Sequence, residues 1–140
     1  MIFYLPLLLT VIAATAYHVG QKSIPLQIHP MLSLTVSYAV ALLGSLIVLS
    51  FYPGDFGRAS WRSFNWSSIV VGIAIIGIEL GFLLAYRAGW RISLASLVGN
   101  VLTALLLVAV GVIFFREHLT GRNVVGIALC ITGLAMVVQR

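Results

Sequence analysis

From Ser67 to Tyr86 the chain reads SSIVVGIAIIGIELGFLLAY, an apolar stretch broken by one charge, Glu79, and closed by Arg87. About 20 apolar residues suffice for a helix to cross a hydrocarbon core about 30 Å thick. Glu79 falls near the middle of the run, so a helix crossing a bilayer here would hold its carboxyl close to the midplane. An ionised acid at that depth costs at least about 2.5 kcal/mol on insertion scales, and such acids face a bundle interior or a water-filled cavity. The rest of the chain is therefore read as the housing of Glu79.

Composition supports a membrane rather than a soluble housing. Of 140 residues, 61% are hydrophobic and only 8% charged, whereas soluble domains carry about 25% charged residues. The mean hydropathy is +1.14. Five spans are expected: Phe3 to Lys22, Met31 to Tyr52, Ser67 to Ala88, Ile92 to Phe115 and Asn123 to Val138. The fold class that follows is all-α, a polytopic bundle of about five transmembrane helices in one domain covering residues 1–140. Uninterrupted apolar runs stand where a membrane barrel would show period-2 alternation. Pro53-Gly54-Asp55 is a turn signature, and Trp61, Phe64 and Trp66 in the loop from Pro53 to Trp66 are placed as interfacial anchors. Ala14-Thr15-Ala16 resembles a signal cleavage site, but no Lys or Arg precedes it and the apolar run continues past it, so the segment is expected to stay.

The net charge of +5 reflects scarce acids (Asp55, Glu79 and Glu117) as much as abundant bases. No basic cluster exists, so the expected partner is anionic lipid and not nucleic acid. Cys130 is the single cysteine and can form no internal disulfide. With five spans, one face holds Arg58, Arg62, Arg116 and Arg122, and the other holds Lys22, Arg87, Arg91 and Arg140. Four against four leaves the positive-inside rule without an excess to act on. Either the tally reflects a misplaced boundary, or copies insert both ways and pair antiparallel.

The intramembrane polar residues supply the candidate site. Around Glu79, Ile75, Ile76, Phe82, Leu83 and Tyr86 share one side of the helix, a face suited to a cationic or amphipathic ligand. The carboxyl is far less costly there as the neutral acid, which makes it a candidate for proton exchange; a structural acid hydrogen-bonded to Asn100 or a serine is the alternative. Gly77 and Gly81 form G-x-x-x-G, expected to permit close helix packing. In the fourth span Ser93, Ser96, Asn100 and Thr103 recur on one face, either as glue between helices or as a polar cavity wall. Thr10, Tyr17 and Gln21 share a stripe of the first span, with Tyr17 the better ligand contact and His18 an interfacial residue. Ser37, Tyr38, Ala41 and Ser45 form a weaker stripe, expected to serve packing. Asp55 reads as a turn residue, Glu117 as a surface acid, and Thr120 as the N-cap of the last helix. No Ser-His-Asp set, H-E-x-x-H or phosphate loop occurs. The chain is thus expected to be no enzyme, and to use neither metal nor cofactor.

The C-terminal half resembles a known family. Leu84-Ala85-Tyr86-Arg87-Ala88-Gly89, Ser93 to Val98, the connector Phe114-Phe115-Arg116-Glu117-His118-Leu119-Thr120-Gly121 and the helix from Val125 to Ala135 are similar to an EamA-type repeat of the drug/metabolite transporter superfamily. The likeness is strong over Ile73 to Val138 and a matter of pattern in the first two spans. It implies a five-helix unit equivalent to half of a ten-helix transporter, with two units packed in inverted orientation. Small members of the superfamily work as antiparallel dimers whose coupling acid lies in the first helix. Here the first span has no acid, so Glu79 takes that role by inference from this sequence alone. Glu117 matches the acid that recurs in the family at the end of the fourth helix.

The expected function is secondary-active transport: a proton-coupled exporter of small metabolites or amphipathic cations. Its setting is the inner or plasma membrane, and its partner a second copy or a paralogue. Substrate and proton binding are assigned to Glu79, Asn100, Tyr17, Tyr86 and Ser96. The alternative is a non-transporting subunit, for example a helper in lipid-linked sugar translocation.

Overall fold

The computed structural model describes residues 4–51 and 62–138. The turn at Pro53 to Asp55, with Arg58, Trp61 and the terminal Arg140, lies outside the described residues. Five helices follow one another: α1 (Leu5–Ser23), α2 (Pro30–Phe51), α3 (Trp66–Arg87), α4 (Ile92–Phe115) and α5 (Gly121–Val138). No strand occurs among the described residues. Where they can be compared, these bounds lie within two residues of the spans read from hydropathy.

Four helices, α2 to α5, are long and apolar enough to cross a membrane. Helix is the form such segments take, because in lipid every backbone N–H and C=O must find its partner within the segment. Their apolar side chains point outward all round; Val40, Ile47, Ile73, Leu106 and Ile113 are each more than half exposed. A helix apolar on every side belongs in a large core or in lipid, and among the described residues no such core covers them. The protein is a multi-pass membrane protein. α1 falls short of the other four because Tyr17, His18, Gln21 and Lys22 concentrate polarity in its last two turns.

Local chemistry sets the helix ends. Pro30 opens α2, where its missing N–H costs nothing. The Asn65 side chain accepts a 2.9 Å hydrogen bond from the Ser67 N–H and caps α3. Thr120 caps α5 through its hydroxyl, which accepts from the Asn123 N–H at 3.4 Å. Gly89, at φ +93°, makes the turn between α3 and α4, a conformation open to glycine at no steric cost. Arg116 ends α4 at φ 53° and ψ 35°, the left-handed region, and the next N–H, from Glu117, donates to the Gly111 carbonyl at 3.0 Å. A left-handed residue with a Cβ costs roughly 1–2 kcal/mol. Arg116→Gly is therefore expected to stabilise the protein by about 1 kcal/mol, and Arg116→Val to destabilise it. Unfolding midpoints in detergent check this; equal midpoints for the two variants would show the turn to be unstrained.

The chain divides into two compact units. One comprises Gly20–Arg87, in which α2 packs on α3; the other comprises Met1–Val19 with Ala88–Arg140, in which α4 packs on α5.

Candidate functional site

The site is built in the unit Gly20–Arg87. On α2 the residues turned inward are Pro30, Ser33, Leu34 and Tyr38, spaced three, one and four apart as one helical face requires. On α3 the inward residues begin at Glu79 and continue through Phe82, Leu83, Tyr86 and Arg87. Leu83 is only 1% exposed and marks the tightest packing of the pair. At the chain-reversing end, Arg87 donates from Nη2 to the Ile28 carbonyl. Lys22 donates to the Tyr86 carbonyl at 3.3 Å and stands 5.6 Å from the centre of the Tyr86 ring. These contacts anchor the last turns of α3.

Packing stops at Glu79. Beyond it, towards the start of α3, Ile69 to Ile78 are exposed. There a groove of about 350 Å³ is lined by Tyr38, Ile69, Gly72, Ile73, Ile75 and Ile76. Gly72, Ile76 and Glu79 follow one another along a single stripe of α3, so the acid lies on the same side of the helix as two residues that line the groove, about one turn beyond them. Its Oε2 atom is buried, as is the Tyr38 hydroxyl, and neither has a hydrogen-bond partner among the described residues. A buried polar atom left unsatisfied costs about 1–3 kcal/mol, and the large majority of buried side-chain polar atoms avoid that cost. Buried polar atoms left without a partner among the described residues, one of them on a side chain that lines the groove, are what a site shaped for a ligand or a proton presents. Phe82 and Tyr86 continue the same face, their rings stacked 6.1 Å apart at 25°.

The remaining residues singled out from the sequence are placed as follows. Tyr86 is buried in this unit, beside Lys22 rather than at the groove. Gly77 and Gly81 lie on the side of α3 away from Glu79, and an added Cβ at either would meet nothing within 4 Å, so within one chain they pack against no described residue. Tyr17, Ser96 and Asn100 belong to the other unit. Tyr17 is half-buried and meets the His18 ring edge-on at 5.1 Å. Ser96 is half-buried, and its hydroxyl donates to the Ile92 carbonyl of its own helix at 2.8 Å. Asn100 is exposed. Within the unit Gly20–Arg87, Glu79 Oε2 meets no serine hydroxyl among the described residues. Thr10, Thr15, Thr35, Ser45, Ser50 and Thr132 bond back to carbonyls three or four residues earlier, as Ser96 does. Such back-bonding satisfies a hydroxyl in lipid without any neighbouring helix, so these residues are not needed as glue.

Sequence reasoning under-weighted Tyr38, which it assigned to packing. The available signal was its position: Ser33, Leu34 and Tyr38 share a face, and Tyr38 is the one aromatic hydroxyl in the middle of α2. No protein-family model, curated protein or solved structure matches the chain.

Proposed function

We propose that the protein is a secondary-active transporter that exports small amphipathic or cationic metabolites in exchange for protons at Glu79. The observation that carries this reading is that Glu79 Oε2 and Tyr38 Oη, on facing helices, are both buried and unpartnered among the described residues, with Tyr38 lining an apolar groove. The groove walls suit the apolar body of a substrate, and the carboxylate suits its ammonium. A proton and a cation cannot both neutralise one carboxylate, so binding of either expels the other. That competition is what couples the two fluxes.

The finer parts of the reading rest on the sequence. The likeness to an EamA-type repeat favours a half-transporter of the drug/metabolite superfamily in the inner or plasma membrane, with α1 as a fifth crossing. The balanced Lys and Arg favour an inverted pair, a second copy or a paralogue supplying the other half. The open Gly77 and Gly81 face of α3 offers room for a close helix neighbour.

The test uses proteoliposomes loaded at acid pH and a panel of organic cations and amphipathic amines, with neutral analogues as controls. At least one cation is expected to enter against its gradient while protons leave, and the neutral analogues are expected to evoke nothing. A panel in which no member drives proton-linked exchange overturns the proposal.

A further inference from the structure

The other unit holds a second groove, also largely apolar, with one carboxylate, Glu117, among its lining residues. Val101, Leu105 and Val108 on α4 and Gly126 and Ile127 on α5 wall a space of about 420 Å³, with Glu117 and Asn123 as its polar members. That volume lies within the range of about 300–1,000 Å³ common for small-molecule sites.

Glu117 reaches this groove through the geometry of its turn. The left-handed Arg116 reverses the chain, and the Glu117 N–H then closes on the Gly111 carbonyl. The side chain folds back across Gly111, so closely that a Cβ added there would lie 2.6 Å from Oε2. Val101, Leu105, Val108 and Gly111 form one stripe of α4, and the carboxylate therefore caps the end of the apolar wall. Arg116 and His118 flank Glu117 in the chain, yet its carboxylate forms no ion pair and no hydrogen bond among the described residues. The Asn123 amide forms none either; only its backbone N–H is engaged, by Thr120. From residue 101 to residue 111 the wall runs about 15 Å along the helix.

We propose that the α4–α5 groove binds an amphiphile with a primary ammonium head, which Glu117 and Asn123 hold while the apolar chain lies between Val101, Val108 and Ile127. An anionic head would meet an unpaired carboxylate of like charge, and a small hydrophilic cation would leave the apolar wall unused. An ethanolamine lipid and a free long-chain amine share the required chemistry. The proposal does not rest on Glu79, which belongs to the other unit.

The test measures binding of an alkyl primary amine, labelled with a fluorophore at its tail, to the protein in phosphatidylcholine nanodiscs, with empty discs subtracted. Glu117→Gln is expected to weaken binding about tenfold, the loss of one charge-assisted contact. Gly126→Phe places a ring in open space within the groove and is expected to weaken binding to a similar extent without changing any charge. The matching alkyl alcohol is expected to bind the wild type and Glu117→Gln alike. Equal amine affinity for the wild type and Glu117→Gln, or for the wild type and Gly126→Phe, overturns the proposal. Phosphatidylethanolamine added to the disc separates the sources: competition with the probe assigns the site to the lipid headgroup, and its absence assigns the site to the free amine.

Discussion

Glu79→Gln is expected to abolish proton-linked exchange while leaving the protein folded. Glutamine keeps the shape of the side chain, but it carries no charge and exchanges no proton. A hydrogen bond to a charged group is worth about 1.5–3 kcal/mol, so affinity for a cationic substrate should fall about 10- to 150-fold. Coupling should vanish altogether. In the wild type, acidification should weaken substrate binding, because protons compete for the same carboxylate; in Glu79→Gln this pH dependence should be flat. Tyr38→Phe separates the two roles of the pair. It removes a hydrogen bond to the ligand but leaves the acid, so affinity should fall several-fold with coupling retained. Stability distinguishes this account from a structural acid. Removing an ionisable group from mid-bilayer removes an insertion cost of at least about 2.5 kcal/mol, so Glu79→Leu should be no less stable than the wild type. A structural acid would instead leave its partners unsatisfied and lower the unfolding midpoint. Flux that stays pH-dependent in Glu79→Gln would remove Glu79 from the mechanism.

The same contrast shows which parts of the molecule can be read from sequence. Helix positions follow from hydropathy because a membrane span is defined by length and apolarity, and Ile92 to Phe115 is found as expected. Rotation about each axis is another matter. α2 and α3 are apolar on all sides, so their sequences give no face to point inward. This is why Glu79 stood out, as the one charge in its run, while Tyr38 could not be told from a packing residue. It is also why the Ser93–Thr103 stripe was open to two readings: a hydroxyl that bonds back to its own helix has the same spacing as one that reaches a neighbour. Glu117, read as a surface acid, is exposed as expected; its folding over Gly111 was not legible, because the reversal that brings it there depends on a left-handed arginine. No rule of turn composition expects that conformation from arginine, since glycine and asparagine are the residues that adopt it readily.

A C-terminal reporter is expected to be active on both sides of the membrane, in roughly equal shares. The tally of Lys and Arg is four on each face, and it does not depend on whether α1 crosses, because no Lys or Arg precedes Lys22. With no excess on either side, the rule that orients membrane proteins has nothing to act on. Small changes should therefore have large effects. Ser63→Arg with His118→Arg raises one face from four to six, and Gln27→Arg with His29→Arg raises the other by the same amount; all four positions are exposed. Each double variant should insert in one orientation, and the two should be opposite. If function needs an inverted pair, each should lose exchange when expressed alone, and the two expressed together should recover it. Recovery on mixing is the decisive result, since a monomer or a parallel pair would gain nothing from a partner of opposite orientation. A wild-type reporter active on one side only would remove the homodimeric form. The groove at Glu79 would then have to be completed by a different chain, one whose own Lys and Arg favour the opposite side.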